Sequence, residues 1–259
     1  TRGVTLARMS PDYLTDLLLV VPHPDDEVFG LGAMLARMAA AGRVATLTLT
    51  RGAAGKTLGL ATRAELPNVR ERDLRASLAA LGVQDVTILD HQDYVPDDDR
   101  GMPRHPGLAG ADRAALLAEI EAVLARTRPR VVFTFAPNGS NGHPDHCLTS
   151  ELTFQAFDRA AVRPEALYCF ASSQPFRGPQ REGFLPEDEM VRRAVSVTHV
   201  ADAGSELPRK LAAMACHETQ ALSVLGFMRS NPERLITETF HRVYPPVPRS
   251  AAVQRVETL

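Results

Sequence analysis

The chain has 259 residues, 44% of them apolar, with 29 basic and 31 acidic side chains giving a formal net charge of −2. That is long and apolar enough for a sizeable buried core and excludes wholesale disorder; with no basic block to neutralise phosphates, it also argues against nucleic acid and for a neutral or mildly anionic small molecule. Cys147, Cys169 and Cys216 form no C-x-x-C pair, which predicts a reducing cytoplasm, while no apolar run reaches the about 18 residues of a membrane span and residues 1–10 lack a signal-peptide h-region.

Residues 17–21, Leu-Leu-Leu-Val-Val, are continuously apolar and bounded by Pro22, as a strand buried on both faces should be. A helix is predicted over 28–41 from Leu31, Met34, Leu35 and Met38, ending at Gly42, and a strand over 44–50. This β-α-β unit takes a right-handed parallel crossover by default. The pattern repeats: a helix over 69–81 closed by Gly82, a strand over 86–89, a helix over 112–126, a strand over 131–135, a helix over 148–160 and a strand over 167–170. Alternation of this kind predicts an α/β fold with a mostly parallel sheet and helices on both faces. The C-terminal part is less regular. Residues 172–187 read as a loop or lid, 193–200 as an edge strand or hairpin, 207–222 as a helix and 240–244 as a last strand, after which Pro245, Pro246 and Pro248 stop regular structure. There is no internal repeat and no clear linker, so residues 1–259 are expected to form one domain.

Two segments carry the chemistry. His23-Pro24-Asp25-Asp26-Glu27 follows the first predicted strand, and His143-Pro144-Asp145-His146 lies in the loop after the strand over 131–135. Ligands of open α/β sheets gather at the carboxyl ends of strands, so the two segments can face one crevice. Together they offer three histidines and three acidic side chains, enough for three metal ligands plus an acid and a base. Taken singly, either segment reads equally well as a turn with a helix N-cap, because Asp suits both places. Their joint occurrence at two strand ends favours a metal-dependent hydrolase.

These two motifs resemble the paired signatures of the LmbE-like, or PIG-L, N-acetylglucosaminyl deacetylases. The resemblance extends through Thr50-Arg51-Gly52 and Gly55, through Arg70-Glu71-Arg72-Asp73-Leu74 with Leu81-Gly82-Val83, and through Lys210, His217 and Gln220. Asp73 stands where that family usually has Glu. The resemblance implies a Rossmann-like fold and a zinc site made by His23, Asp26 and His146, in which iron(II) or another divalent ion can substitute. It implies that Asp25 is the general base that activates water. His143 would stabilise the oxyanion and protonate the leaving amine, and Asp145 would orient His143. Arg70, Asp93 and His217 would contact substrate, a small glycoside or glycoconjugate, and a homo-oligomer is compatible with the family. Glu27 is expected to support the site or start a helix.

His91, His105, His199 and His241 have no second feature beside them and are expected to be structural. Gly30-Leu31-Gly32 lacks the third glycine of a dinucleotide fingerprint, and its turn is already occupied by His-Pro-Asp-Asp. The loop over 138–142 reads as turn chemistry before His143. Two other functions suit parts of this pattern. A His/Asp/His triad also suits non-haem iron oxygenases, but those sites usually sit in all-β barrels. A non-catalytic, metal-stabilised binding module would have a closed site, which leaves Asp25 and His143 without a role. The loops over 51–68, 93–110 and 172–187 are expected to choose the substrate.

Overall fold

The computed structural model describes residues 12–97, 102–174, 181–248 and 250–259. The expectation for residues 1–10 lies outside them, as do positions 98–101 and 175–180 of two of the loops assigned to substrate choice.

The first half runs β1 (Thr15–Val21), α1 (Asp26–Ala41), β2 (Val44–Thr50), α2 (Leu66–Leu81) and β3 (Asp85–His91). A short antiparallel pair, β4 (Tyr94–Val95) and β5 (His105–Pro106), precedes α3 (Arg113–Thr127), β6 (Pro129–Thr134), α4 (Pro144–Arg159) and β7 (Ala166–Phe170). Then come α5 (Glu187–Arg192), β8 (His199–Asp202), α6 (Leu207–Ala215), α7 (Ala221–Ser230), β9 (Thr237–Tyr244) and β10 (Gln254–Val256).

Eight strands form one sheet in the order β10-β8-β9-β7-β6-β1-β2-β3. β3, β2, β1, β6 and β7 are mutually parallel, while β9 runs antiparallel to both its neighbours. The continuous apolar run of β1 is explained by its two faces. Leu17, Leu19 and Val21 join a core with α1, α2 and α6; Leu18 and Val20 join another with α3 and α4. A central parallel strand covered by helices on both sides needs apolar residues at every position.

The strand order places the site. From β1 the chain builds outward through β2 to β3, then crosses back and adds β6 on the other flank of β1, with Leu17 opposite Val131 and Leu19 opposite Phe133. The order therefore reverses between β1 and β6, and the crevice opens at their carboxyl ends. Both chemical segments leave these two strands.

Four expectations are corrected. α4 begins at Pro144 rather than at 148, so His143 is its N-cap and not a loop residue. Proline fits the first helical position because its missing N–H would be unpaired there anyway. The helix expected over 207–222 breaks: α6 stops at Ala215, His217 is non-helical (φ −85°, ψ 61°), and α7 starts at Ala221 and runs to Ser230. Of the strand expected over 193–200, only the end is strand, within His199–Asp202. β10 forms beyond the prolines as a parallel edge to β8.

A buried ion pair fixes α1. Lys210 and Glu238, 0% and 1% exposed, lie 2.8 Å apart. The Glu238 carboxylate also accepts the N–H groups of Ala33 and Met34, both at 2.9 Å. Gly32 allows this approach, since a Cβ there would stand 3.2 Å from Lys210, and Gly30 makes room for the Phe170 ring, which a Cβ would meet at 2.6 Å. Their role is packing inside α1, in keeping with the rejected dinucleotide reading.

Candidate active site

β1 ends at Val21, and the chain turns sharply into α1 through Asp25, whose φ of 99° is left-handed. A non-glycine residue held there costs about 1–3 kcal/mol and persists only where its surroundings enforce it. Here Glu27 Oε2 accepts the Asp25 N–H at 2.9 Å, and Asp26 Oδ2 accepts the His23 N–H at 3.0 Å. The turn thus aims two adjacent aspartates in different directions.

The histidine tautomers follow from their outer contacts. His23 Nε2 is 3.1 Å from Asp145 Oδ2, so it donates there and leaves a lone pair on Nδ1. His146 Nδ1 is 3.0 Å from the Gly139 carbonyl, so it donates there and leaves a lone pair on Nε2. These two lone-pair nitrogens are 3.2 Å apart. Asp26 completes the group: its Oδ2 is 3.5 Å from His23 Nδ1 and its Oδ1 is 3.6 Å from His146 Nε2. Three acceptors at such spacings repel one another unless a proton or cation sits among them. Donors about 2.0–2.1 Å from a tetrahedral ion stand about 3.3 Å apart, so the set fits a small divalent cation. The outer contacts on Asp145 and Gly139 are the kind that orient metal-binding histidines. A ring nitrogen of His143 also lies within 4.8 Å of one on each of His23 and His146.

Without a cation, protons distribute unevenly over this cluster. Burial works against a charged His23, but hydrogen bonds to Asp145 and Asp26 outweigh it and raise its pKa well above the usual value. Burial lowers that of His146, and the charge on His23 lowers it further against the pull of Asp26. Asp26 stays ionised: burial opposes this, but His146 and His23 bring its pKa below the ordinary carboxylate range. Asp25 differs. Burial pushes it up to about 6, with Arg70 pulling down and Asp26 pushing up. Two neighbouring carboxyls are thereby split into a permanent anion and a group that can exchange a proton near neutral pH.

His143 caps α4, its Nδ1 accepting the Asp145 N–H at 3.2 Å, which leaves Nε2 as the proton-bearing nitrogen of the neutral ring. The resemblance has Asp145 orienting His143; the contact between them uses the Asp145 backbone. The fully buried Asp145 carboxylate faces His23, Tyr94 N (2.8 Å) and Leu108 N (2.8 Å). Phe184 and Tyr94 flank the His143 ring at centroid distances of 4.9 and 5.8 Å. Gly139 is required because a Cβ there would meet His146 Cβ and Cys147 Sγ at 2.9 Å.

The expected substrate residues separate. Arg70 is buried, with its guanidinium on the carbonyls of Gly52 and Pro24 and 3.2 Å from Asp25 Oδ2. Gly52 and Gly55 make room for it, since a Cβ at either would fall within 2.7 Å of Arg70 Nη1. Asp93 accepts the Ala54 N–H through Oδ2 at 2.6 Å, and its buried Oδ1 has no partner among the described residues. His217 is 1% exposed and gives its Nε2 to Glu27 at 2.6 Å. The other histidines have partners elsewhere: His91 with Glu119, His105 with Gly107 N, His199 with Thr198 and His241 with the Ser196 carbonyl. Sequence reasoning missed Ser77, Tyr94 and Phe184. Ser77 gives no sequence signal. Tyr94 adjoins Asp93, and Phe184 is the one aromatic residue in 181–187, which were the available hints.

Residues 18–157 match the model of the family described as PIG-L: GlcNAc-PI de-N-acetylase. A 1D-myo-inositol 2-acetamido-2-deoxy-alpha-D-glucopyranoside deacetylase of Kineococcus radiotolerans is 34% identical, over 79% of this chain and 68% of that protein. A protein of the same description, numbered 2, from Catenulispora acidiphila is 32% identical over 88% of each chain. Among solved structures, the N,N'-diacetylchitobiose deacetylase of Pyrococcus horikoshii aligns with a TM-score of 0.60 at 19% identity, over 92% of this chain and 88% of that one. The 4-carboxy-2-hydroxymuconate hydratase of Pseudomonas putida aligns with a TM-score of 0.64 at 20% identity, over 92% and 100%. The fold alone therefore does not choose the reaction. The family match spans both strand ends that carry the histidine and aspartate motifs, and with relatives this similar along most of its length, the chain belongs to the PIG-L, or GlcNAc-PI de-N-acetylase, family.

Proposed function

We propose that this chain is a divalent-cation-dependent N-deacetylase that frees acetate from an N-acetylglucosamine-type conjugate. One observation carries the reading: the lone pairs of His23 Nδ1 and His146 Nε2 converge with the Asp26 carboxylate at 3.2–3.6 Å, beside a carboxyl poised near pH 6. His23, Asp26 and His146 would hold zinc, or iron(II) or another divalent ion in its place. Such an ion supplies Lewis-acid polarisation of an amide carbonyl and of water near neutral pH.

The chain's own residues do the rest. Asp25 takes the proton of the attacking water, a task suited to a base with a pKa near the working pH. Arg70 holds the Asp25 carboxylate in place. His143 donates a hydrogen bond from Nε2 to the oxygen that becomes negative, and the proton that Asp25 drew from water passes to the departing nitrogen. Asp145 holds His23 with its carboxylate and His143 with its N–H. Asp93 Oδ1, buried and without a partner among the described residues, is an acceptor for a sugar hydroxyl, and Arg70 borders the same loop. The products are acetate and a free amine. The relatives' descriptions put an inositol-linked sugar first among the candidates. Three free thiols suit a reducing cytoplasm, and no helix among the described residues is long and apolar enough to cross a membrane.

The test is a screen of acetate release from N-acetylglucosamine linked to inositol, malate, a second N-acetylglucosamine and a glycopeptide aglycone. Release from at least one conjugate, abolished by a chelator, is expected. No release from any conjugate by the zinc-loaded protein would overturn the reading.

A further inference from the structure

We infer that Glu27, clamped by His217 and Ser77, is a positioning residue for Asp25, so that the segment after α6 sets the geometry of the base without touching substrate. The inference rests on the role proposed above for Asp25.

A glutamate in the first turn of a helix ordinarily faces water and interacts with the helix dipole. Glu27 does not: it is 1% exposed. Its Oε2 accepts the Asp25 N–H at 2.9 Å. Its Oε1 accepts from Ser77 Oγ and from His217 Nε2, both at 2.6 Å. Two donors from two other elements, α2 and the α6–α7 junction, thus fix a carboxylate whose remaining oxygen holds one backbone amide. That amide belongs to the one residue between β1 and α1 with a left-handed backbone. The contact is what the strained turn needs in order to persist.

The break between α6 and α7 fits this role. The chain leaves the helix at His217, whose ring is turned inward to Glu27; its Nδ1 has no partner among the described residues, so the contact to Glu27 is the hydrogen bond that orients the ring there. With its Nε2 engaged by Glu27, His217 acts through that carboxylate rather than on substrate. Three residues on, Gln220 donates to the Lys56 carbonyl at 2.9 Å. Lys56 follows the loop whose Gly52 and Gly55 pack against Arg70, and Arg70 meets the Asp25 carboxylate at 3.2 Å. One segment therefore reaches Asp25 by two routes, through its amide by way of Glu27 and through its carboxylate by way of Arg70.

Hydrogen exchange of the Asp25 amide, read by NMR on the zinc-loaded protein, tests this beside steady-state acetate release. In His217→Ala the Asp25 amide should exchange at least tenfold faster, while the β1 amides of Leu18 and Val20 keep their wild-type rates. kcat should fall at least tenfold with KM within threefold. His217→Gln retains a donor for Glu27 and should recover both readouts. Ser77→Ala, a smaller excision, should move Asp25 exchange in the same direction and serves where His217→Ala does not fold. Unchanged Asp25 exchange in the folded variants overturns the inference. So does a KM that rises while kcat holds, the sign of direct substrate contact. If the wild-type protein releases no acetate, the deacetylase reading falls, and the exchange comparison still decides whether His217 holds Asp25.

Discussion

At the scale of single residues, the adjacent aspartates are the most informative pair. Asp25→Asn should keep its cation, because Asp26 and not Asp25 joins the two histidines, and should lose turnover by about 10² or more. Metal analysis of the purified variant checks this; loss of the metal would reverse the two assignments. pH dependence has a definite sign. Asp25 must be ionised to accept a proton, and burial raises its pKa to about 6. kcat/KM should therefore fall below a midpoint at about 6, or lower still because a cation beside Asp25 favours the carboxylate. Zinc affinity should weaken in the same direction. The pKa of His23 is raised well above its usual value by Asp145 and Asp26 against burial, so the ion must displace a proton. Binding should tighten up to about tenfold per pH unit below that pKa, as measured by competition with a chromophoric chelator.

At the scale of elements, the strands and helices with strong apolar periodicity were legible in the sequence, and the polar turns between them were not. β1 announced itself through the continuous apolar run Leu17 to Val21, and β2 through apolar residues alternating with threonines, all of them buried. The first turn of α4 was hidden because Pro144, Asp145 and His146 carry no apolar signal. The break at His217 was hidden for a related reason: helical spacing continues through it, and only the partner Glu27, far away in sequence, explains the turn. The candidate residues could be listed from two motifs, yet which nitrogen of each histidine faces Asp26 depends on Asp145 and the Gly139 carbonyl, which no spacing reveals. α1 gives the sharpest test of packing at this scale. Lys210→Met would leave the Glu238 carboxylate buried with two backbone donors and without its hydrogen-bonded cation, Arg234 remaining as the nearby charge, and should cost about 3–5 kcal/mol in urea unfolding. A cost under about 1 kcal/mol would mean that the pair is not what anchors α1 to β9.

At the scale of the whole molecule, the reversal of strand order between β1 and β6 converts two short motifs, distant in sequence, into one site. The central claim is that this site holds one divalent cation and that amide hydrolysis depends on it. The most direct test is to strip the protein with a chelator and titrate zinc back while following acetate release from the best conjugate of the screen. The rate should rise from near zero in proportion to added zinc and break at one ion per chain, and His146→Ala should show no such break. A stripped protein that keeps its full rate, or a His146→Ala variant that titrates like the wild type, would contradict the account.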